Sequence, residues 1–266
     1  MIKLGVNTVL FGGFDLKTAL THIKAAGYDG AELSAIKGMC EHLNLDQWAD
    51  QVKDIKAIAG DLGLELLSIE EAALDPERLK KAFDACAALG IPIVNIGPGG
   101  KMNVEEDFVR QTDLIAQQAE VAAGYKITLC AKAHVGQVIY STPTTLRAME
   151  KVKNPFFGID MDPSHIYRAG EKPEKALPAV LARVKHVHIR DCKGPGPAPG
   201  TPEMQACGRG DIDLVGYFKA MVDGKYNGPV CLEVIGAGKY ELARCAIVAA
   251  ESYGYMNAVL KSLGAR

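Results

Sequence analysis

Short apolar strands alternating about eight times with amphipathic helices, in a chain of 266 residues, predict an α/β protein built as a (β/α)8 TIM barrel. A doubly wound open sheet is the competitor, but no glycine-rich dinucleotide fingerprint follows the first strand, and Gly12-Gly13 alone is too sparse. The third observation is punctuation: helices stop at Gly27-Tyr28, Leu62-Gly63, Leu89-Gly90 and Gly124-Tyr125, and an apolar strand begins at once. No stretch shifts in composition as a linker would, so residues 1–266 read as a single domain.

Residues 2–7 read as the first strand. Asp15 then starts a helix whose Leu16, Leu20 and Ile23 keep helical spacing up to Gly27. Residues 29–34 form the second strand, followed by a loop carrying His42 and a helix through Trp48, Val52 and Ile55. After the third strand, 64–69, Asp75-Pro76 supplies a cap and a first-turn proline to a helix with Leu79, Phe83 and Cys86 in step. Strand four is 91–96, a long helix covers 103–124, strand five is 126–131 and a helix covers 143–152. Strand six, 156–161, reads as buried on both faces and ends at Asp162, because Pro163 cannot donate to a ladder. The next helix presents Leu177, Val180, Leu181 and Val184 on one face, with Pro178 in its first turns. Strand seven is 184–189, a Gly- and Pro-rich loop spans 193–210, a helix begins at Leu214, strand eight is 229–234 and the last helix covers 240–263.

A hydrophobic content of 48% is ample for a core, and a formal net charge of −2 advertises neither nucleic acid nor an acidic membrane surface as a partner. The apolar runs are shorter than a membrane span. Residues 1–6 look like a strand rather than a signal peptide, which makes a cytoplasmic address the default. Seven cysteines without a Cys-x-x-Cys pair read as reduced thiols, several of them core residues.

The strand ends of such a barrel open into one mouth, and the polar residues there should make chemical sense together. They are Glu32, Glu70 and Glu71, Lys132 and His134, Asp162 and His165, then His188, Arg190 and Asp191, and Glu233. Asp162, His188 and Glu233 make an oxygen and nitrogen set suited to Mn, Mg, Co or Zn, with open positions for a small polyhydroxy substrate. A cation there would ease removal of the proton next to a carbonyl, with Glu233 as acid or base. The alternative on the same residues is a salt-bridge cluster closing the barrel. His188 is read as the inward member of strand seven, and His186 as packed against a helix. His22 reads as structural and His42 as solvated. Arg190, Lys193 and Arg209 surround the loop after strand seven as candidates to bind a phosphate or carboxylate.

The segments Leu129-Cys130-Ala131-Lys132-Ala133-His134, Asp160-Met161-Asp162-Pro163-Ser164-His165, His186-Val187-His188-Ile189-Arg190-Asp191 and Val230-Cys231-Leu232-Glu233 resemble the xylose isomerase-like TIM barrel superfamily. The likeness is to its sugar-phosphate isomerase and epimerase branch and covers nearly the whole chain. It implies a divalent metal on Asp162, His188 and Glu233, His165 facing the substrate, Glu32 near it, and proton transfer next to a carbonyl. It also admits a homo-oligomer. The AP-endonuclease-like branch, with its three-zinc cluster and basic face, fits poorly with six histidines and no positive surplus.

The departure is Lys132, which stands where the resemblance implies a Glu that is both ligand and proton carrier. An ammonium about 4 Å from a divalent cation is repelled by roughly 8 kcal/mol at an effective dielectric of 20. Three outcomes follow. Lys132 fills the cation's place, pairing with Asp162 and Glu233 in a metal-free site, catalytically silent or a binding module; it is neutral or carbamylated and the metal stays; or it is a Schiff-base nucleophile. The expectation is a sugar, sugar-phosphate or small keto-acid isomerase or epimerase with Glu233 and Lys132 as catalytic residues and His165, His134, Glu32, Arg190 and Lys193 around the substrate.

Overall fold

The computed structural model describes residues 2–266, so Met1, the first residue of the strand-like stretch 1–6, lies outside the described residues. Eight parallel strands form the barrel: β1 Lys3–Asn7, β2 Gly30–Ile36, β3 Glu65–Ala72, β4 Ile93–Ile96, β5 Thr128–Lys132, β6 Phe157–Met161, β7 Val184–Ile189 and β8 Pro229–Leu232. Each pairs with the next, and β1 closes the ring by pairing with β8 (Val6 opposite Leu232) and with β2 (Asn7 opposite Glu32). A two-residue strand, Cys40–Glu41, folds back antiparallel on the end of β2. The described residues form one TIM barrel.

Outside lie α1 Leu16–Ala26, α2 Trp48–Leu62, α3 Pro76–Leu89, α4 Glu105–Tyr125, α5 Thr142–Lys151, α6 Pro163–Arg168, α7 Pro173–Val180, α8 Pro202–Gln205, α9 Leu214–Asp223 and α10 Leu242–Ser262. The caps are those the sequence indicates: Asp15 accepts from Thr18 N at 2.7 Å, and Asp75 from Arg78 N at 2.9 Å with Pro76 at the first helical position. Gly27 and Gly63 end α1 and α2 at φ 105° and 60°. One stop differs. Helix α4 runs on through Gly124 to Tyr125, and the left-handed residue is Lys126, at φ 59°. Val184 is not part of a helix face either: α7 ends at Val180, a 3-10 turn follows over Leu181–Arg183, and Val184 opens β7. Pro178 therefore sits in the second turn of α7, two residues before its end.

Strand residues such as Val6, Leu33, Ile69, Val94, Leu129, Ile159 and Val187 join the apolar cluster with helix residues such as Leu20, Phe83 and Ile115. The alternate strand positions point into the barrel and are largely polar, among them Asn7, Glu32, Ser68, Asn95 and Asp160, all fully buried. The seven cysteines are free and buried. No described helix is long and apolar enough to cross a membrane.

Candidate active site

Residues two apart on a strand share a face, and this corrects the reading of β7: His186 and His188 both point inward. Their rings meet edge to face at 4.8 Å. On β6, Asp160 lies beneath Asp162 by the same rule. These groups form a polar layer inside the barrel. Glu32 accepts from four donors: Asn95 Nδ2 (2.6 Å), Ser68 Oγ (3.0 Å), Asn7 Nδ2 (2.9 Å) and His188 Nε2 (2.5 Å). His188 Nδ1 faces Asp160 Oδ2 at 2.6 Å, and His186 bridges Asp160 and Ser68 at 3.0 Å each. Burial opposes a charge on His188, but the carboxylates of Asp160 and Glu32 prevail and raise its pKa well above the usual histidine value. It is favoured as an imidazolium, hydrogen-bonded to Glu32 at Nε2 and in ion-pair contact with Asp160 at Nδ1, where the hydrogen-bond geometry is poor.

One layer up, at the C-terminal ends of the strands, Lys132 Nζ donates to Glu70 Oε1 and to Glu233 Oε1, both at 2.7 Å. Burial alone would lower the lysine pKa, yet Glu233 and Glu70 raise it above the usual range. Glu233, opposed by burial, is held well below the ordinary carboxylate value by Lys132 and Arg190. Glu70 goes the other way: burial and the Glu233 charge push it up to about 8, against the pull of Lys132. Both its oxygens already accept, from Lys132 and from Asn7 Nδ2 at 2.5 Å, so a proton on Glu70 has no acceptor but one arriving in the cavity it lines.

Arg190 organises the remaining groups. Its Nη2 lies 2.7 Å from Asp162 Oδ2, its Nη1 lies 3.1 Å from Glu233 Oε2, and its Nε donates to Ser164 Oγ at 2.8 Å. Ser164 passes the polarity on, donating to Asp162 Oδ1 from both its hydroxyl (2.7 Å) and its amide (2.8 Å). Asp162 is thus the N-cap of α6 as well as the partner of an arginine. Arg190 Nη1 completes no hydrogen bond of good geometry.

Above these ion pairs opens a cavity of about 310 Å³, at the small end of the range for small-ligand pockets (about 300–1,000 Å³). Glu70, Lys132, Glu233 and Arg190 line it on the barrel side, and Pro197, Ala198 and Pro199 on the other. His134 and His165 stack along one wall with centroids 4.0 Å apart. Both are neutral: burial, then the Lys132 charge, lowers His134 to about 4, and burial with Arg190 lowers His165 well below its ordinary value. His165 has Arg190 Nη2 at 2.9 Å from Nε2 and Val135 N at 3.2 Å from Nδ1; a neutral ring carries one N–H, so it accepts from only one of these donors, and a second proton would face the other as well. His134 Nδ1 donates to Val135 O at 2.9 Å, which leaves Nε2 as an acceptor.

Of the expected site residues, the structure brings Glu233, Lys132, His134, His165 and Arg190 to the cavity wall. Glu32, Asp162 and His188 lie behind it, and Lys193 is exposed and paired with Asp211 at 2.5 Å. Arg209 pairs with Glu251, and Glu71 turns away from the mouth to hold Arg78. His42 is half-buried rather than solvated, with Nε2 on Phe14 O at 2.8 Å. Two polar wall residues escaped notice as functional candidates, Gln137 and Arg168, while Glu70, expected at the mouth, carried no assigned role. Arg168 was discoverable, one helical turn after His165.

The expected metal set is not among the side-chain groups that have ligand spacing. Among the described residues, three groups have ligand spacing: Glu32–His186–Cys231, Asp160–His186–His188 and Glu32–Glu70–His188. Asp162–His188–Glu233 is not one of them. Every one of the three groups contains a residue already committed. Glu32 has four donors on its oxygens, His188 is held as a cation between two carboxylates, and burial keeps the Cys231 thiol protonated. At the mouth, Lys132 and Arg190 stand among the carboxylates a cation would need.

A closed parallel barrel with ionisable residues gathered at its C-terminal mouth is the architecture of the (β/α)8 enzymes. The chain belongs to the xylose isomerase-like TIM barrel family, whose model matches residues 20–251. It is 26% identical over 259 residues to the 3-dehydroshikimate dehydratase of Pseudomonas aeruginosa, covering 89% of this chain and 38% of that protein. The chain thus spans about two-fifths of that relative's length. Similar solved structures include the probable 3-DHS dehydratase AsbF of Bacillus anthracis (TM-score 0.80, 16% identity, 96% of this chain and 99% of that one). A D-allulose 3-epimerase from Methylomonas sp. in complex with D-allulose superposes with TM-score 0.75 (19% identity, 97% and 96%). An IOLI protein with a bound zinc atom does so with TM-score 0.78 (18% identity, 98% and 99%). At such identities these structures show the common fold.

Proposed function

We propose that this protein is an enzyme that moves a proton at the carbon next to a carbonyl in a small polyhydroxy substrate, with Lys132 and Arg190 in the role a metal plays elsewhere. The observation that carries this is Lys132 Nζ at 2.7 Å from both Glu70 and Glu233 on the cavity wall. An ammonium has three N–H groups, and two are spent on these carboxylates. The third is available to a substrate carbonyl oxygen, with the Arg190 guanidinium lining the same cavity beside it.

Glu233, the ionised carboxylate between the two cations, takes the α-proton. As the proton moves to Glu233, negative charge moves to the substrate oxygen, and Lys132 and Arg190 follow it without leaving the cluster. The net charge of the buried group is unchanged, which keeps the step from stranding an ion. Glu70, protonated at neutral pH, returns a proton to the enediolate, giving an isomer or epimer. If it protonates a hydroxyl on the next carbon instead, that group leaves as water and the enzyme is a dehydratase. The sequence relation to a 3-dehydroshikimate dehydratase favours including this second outcome. The Schiff-base and carbamate alternatives both require a neutral amine at Lys132, which the two carboxylates oppose.

The test is proton NMR in D2O with D-allulose, 3-dehydroshikimate and related ketones. Loss of an α-proton signal at a rate proportional to enzyme supports the reading. A panel in which no ketone exchanges any proton above the buffer rate contradicts it and favours a barrel that only binds.

A further inference from the structure

We propose that the substrate is a polyhydroxy keto acid and that Arg168 receives its carboxylate. This rests on the proton-transfer reading above and specifies its substrate. Arg168 is the last residue of α6, one turn beyond His165, and lines the cavity. The other cations on that wall are balanced, Lys132 by Glu70 and Glu233, and Arg190 by Asp162 and Glu233. Arg168 is not. Among the described residues no carboxylate lies within ion-pair distance of its guanidinium. Only loop carbonyls hold it: Gly196 O accepts from Nε at 3.1 Å and Pro197 O from Nη2. Nη1 is left without a partner among the described residues.

A half-buried guanidinium tied to two carbonyls is oriented but not neutralised. Burial and the Arg190 charge both lower its pKa, so an anion placed there relieves a repulsion as well as making new bonds. Its planar edge matches a carboxylate. A phosphate dianion would call on a second cation, and the two basic residues of the neighbouring loop are spent: Lys193 on Asp211 and Arg209 on Glu251. The volume of about 310 Å³ suits one ring or a chain of similar size. With the carboxylate at Arg168 and the carbonyl at Lys132 and Arg190, His134 Nε2 is left as an acceptor for a hydroxyl between them.

The experiment is isothermal titration of the full chain with five ligands. Two are acids, 3-dehydroshikimate and 5-keto-D-gluconate. The others are 3-dehydroshikimate methyl ester, D-allulose and D-allulose 6-phosphate. We expect at least one acid to bind about ten-fold or more tightly than its neutral counterpart, the scale of one charge-assisted contact. Arg168→Gln should remove that preference while leaving the neutral ligands' affinity unchanged, and Arg168→Lys should retain part of it. The proposal is overturned if a neutral or phosphorylated ketose is preferred, if Arg168→Gln keeps the preference for the acid, or if no acid binds. An acid that binds through Arg168 but exchanges no proton in D2O leaves this subsite standing and removes the proton-transfer reading instead.

Discussion

Replacing Lys132 by methionine keeps the length of the side chain and removes its charge, which isolates what the ammonium does for the mouth. The Lys132–Glu233 contact at 2.7 Å amounts to about 6 kcal/mol of attraction between unit charges at an effective dielectric of 20, while Glu70, protonated below about pH 8, contributes a hydrogen bond. Most of that attraction is offset by the loss of water around two buried charges. What remains measurable is the effect of stranding the partners, about 3–5 kcal/mol when one member of a buried set is deleted. Glu70, already pushed up to about 8, accommodates the loss by keeping its proton, so the burden falls on Glu233. Urea unfolding followed by circular dichroism should therefore show Lys132→Met destabilised by about 3–5 kcal/mol at pH 7. The sign with pH is fixed by Glu233, whose pKa is depressed in the folded wild type. That contribution is present above the unfolded value and is lost as pH falls through the folded one. The variant lacks most of it, so the two proteins should converge in stability as the pH is lowered. A deficit under about 1 kcal/mol at pH 7, or one that does not narrow in acid, would refute the assignment of Lys132 as the central cation.

Other outcomes follow from the same geometry. Because Glu70 must be protonated to act as the acid and its pKa lies at about 8, turnover should fall as pH rises through that value; residual exchange by Glu70→Gln should lack this alkaline limb. Arg190→Lys cannot reach Ser164, Asp162 and Glu233 together, so kcat should drop by roughly 10² or more while circular dichroism shows an intact barrel. Lys126→Gly should stabilise the protein by about 0.5–1 kcal/mol in calorimetry, since glycine removes the left-handed strain while gaining some unfolded-state freedom.

The barrel was legible in the sequence because its strands are apolar runs and its helices end in glycine at positions such as Gly27 and Gly63. Where a lysine takes the left-handed position, as at Lys126, composition gives no sign, and the helix end is misplaced by one residue. Of the mouth residues, Lys132, Glu233, His165, His134 and Arg190 could be found from their places at strand ends. The two-residue period was also enough to place His186 inside with His188 and to add Asp160 beneath Asp162; reading them as alternating faces was an error of counting, not of information. Lys193 and Glu32 could not be placed without coordinates. Whether a lysine on a loop reaches the cavity or an exposed aspartate depends on the path of residues 193–210, and whether a carboxylate faces substrate or a cage of donors depends on Asn7, Ser68, Asn95 and His188, which come from four other strands. Pairing of Arg190 with both Asp162 and Glu233 is likewise a matter of side-chain reach that spacing does not encode.

Metal stoichiometry decides most directly whether side-chain cations have taken over at this mouth. Protein stripped with chelator should show undiminished α-proton exchange, and titration with Mn²⁺ or Zn²⁺ should reveal no stoichiometric site in the wild type but create one in Lys132→Glu. One metal per chain in the wild type, lost in Asp162→Asn and required for exchange, would contradict it.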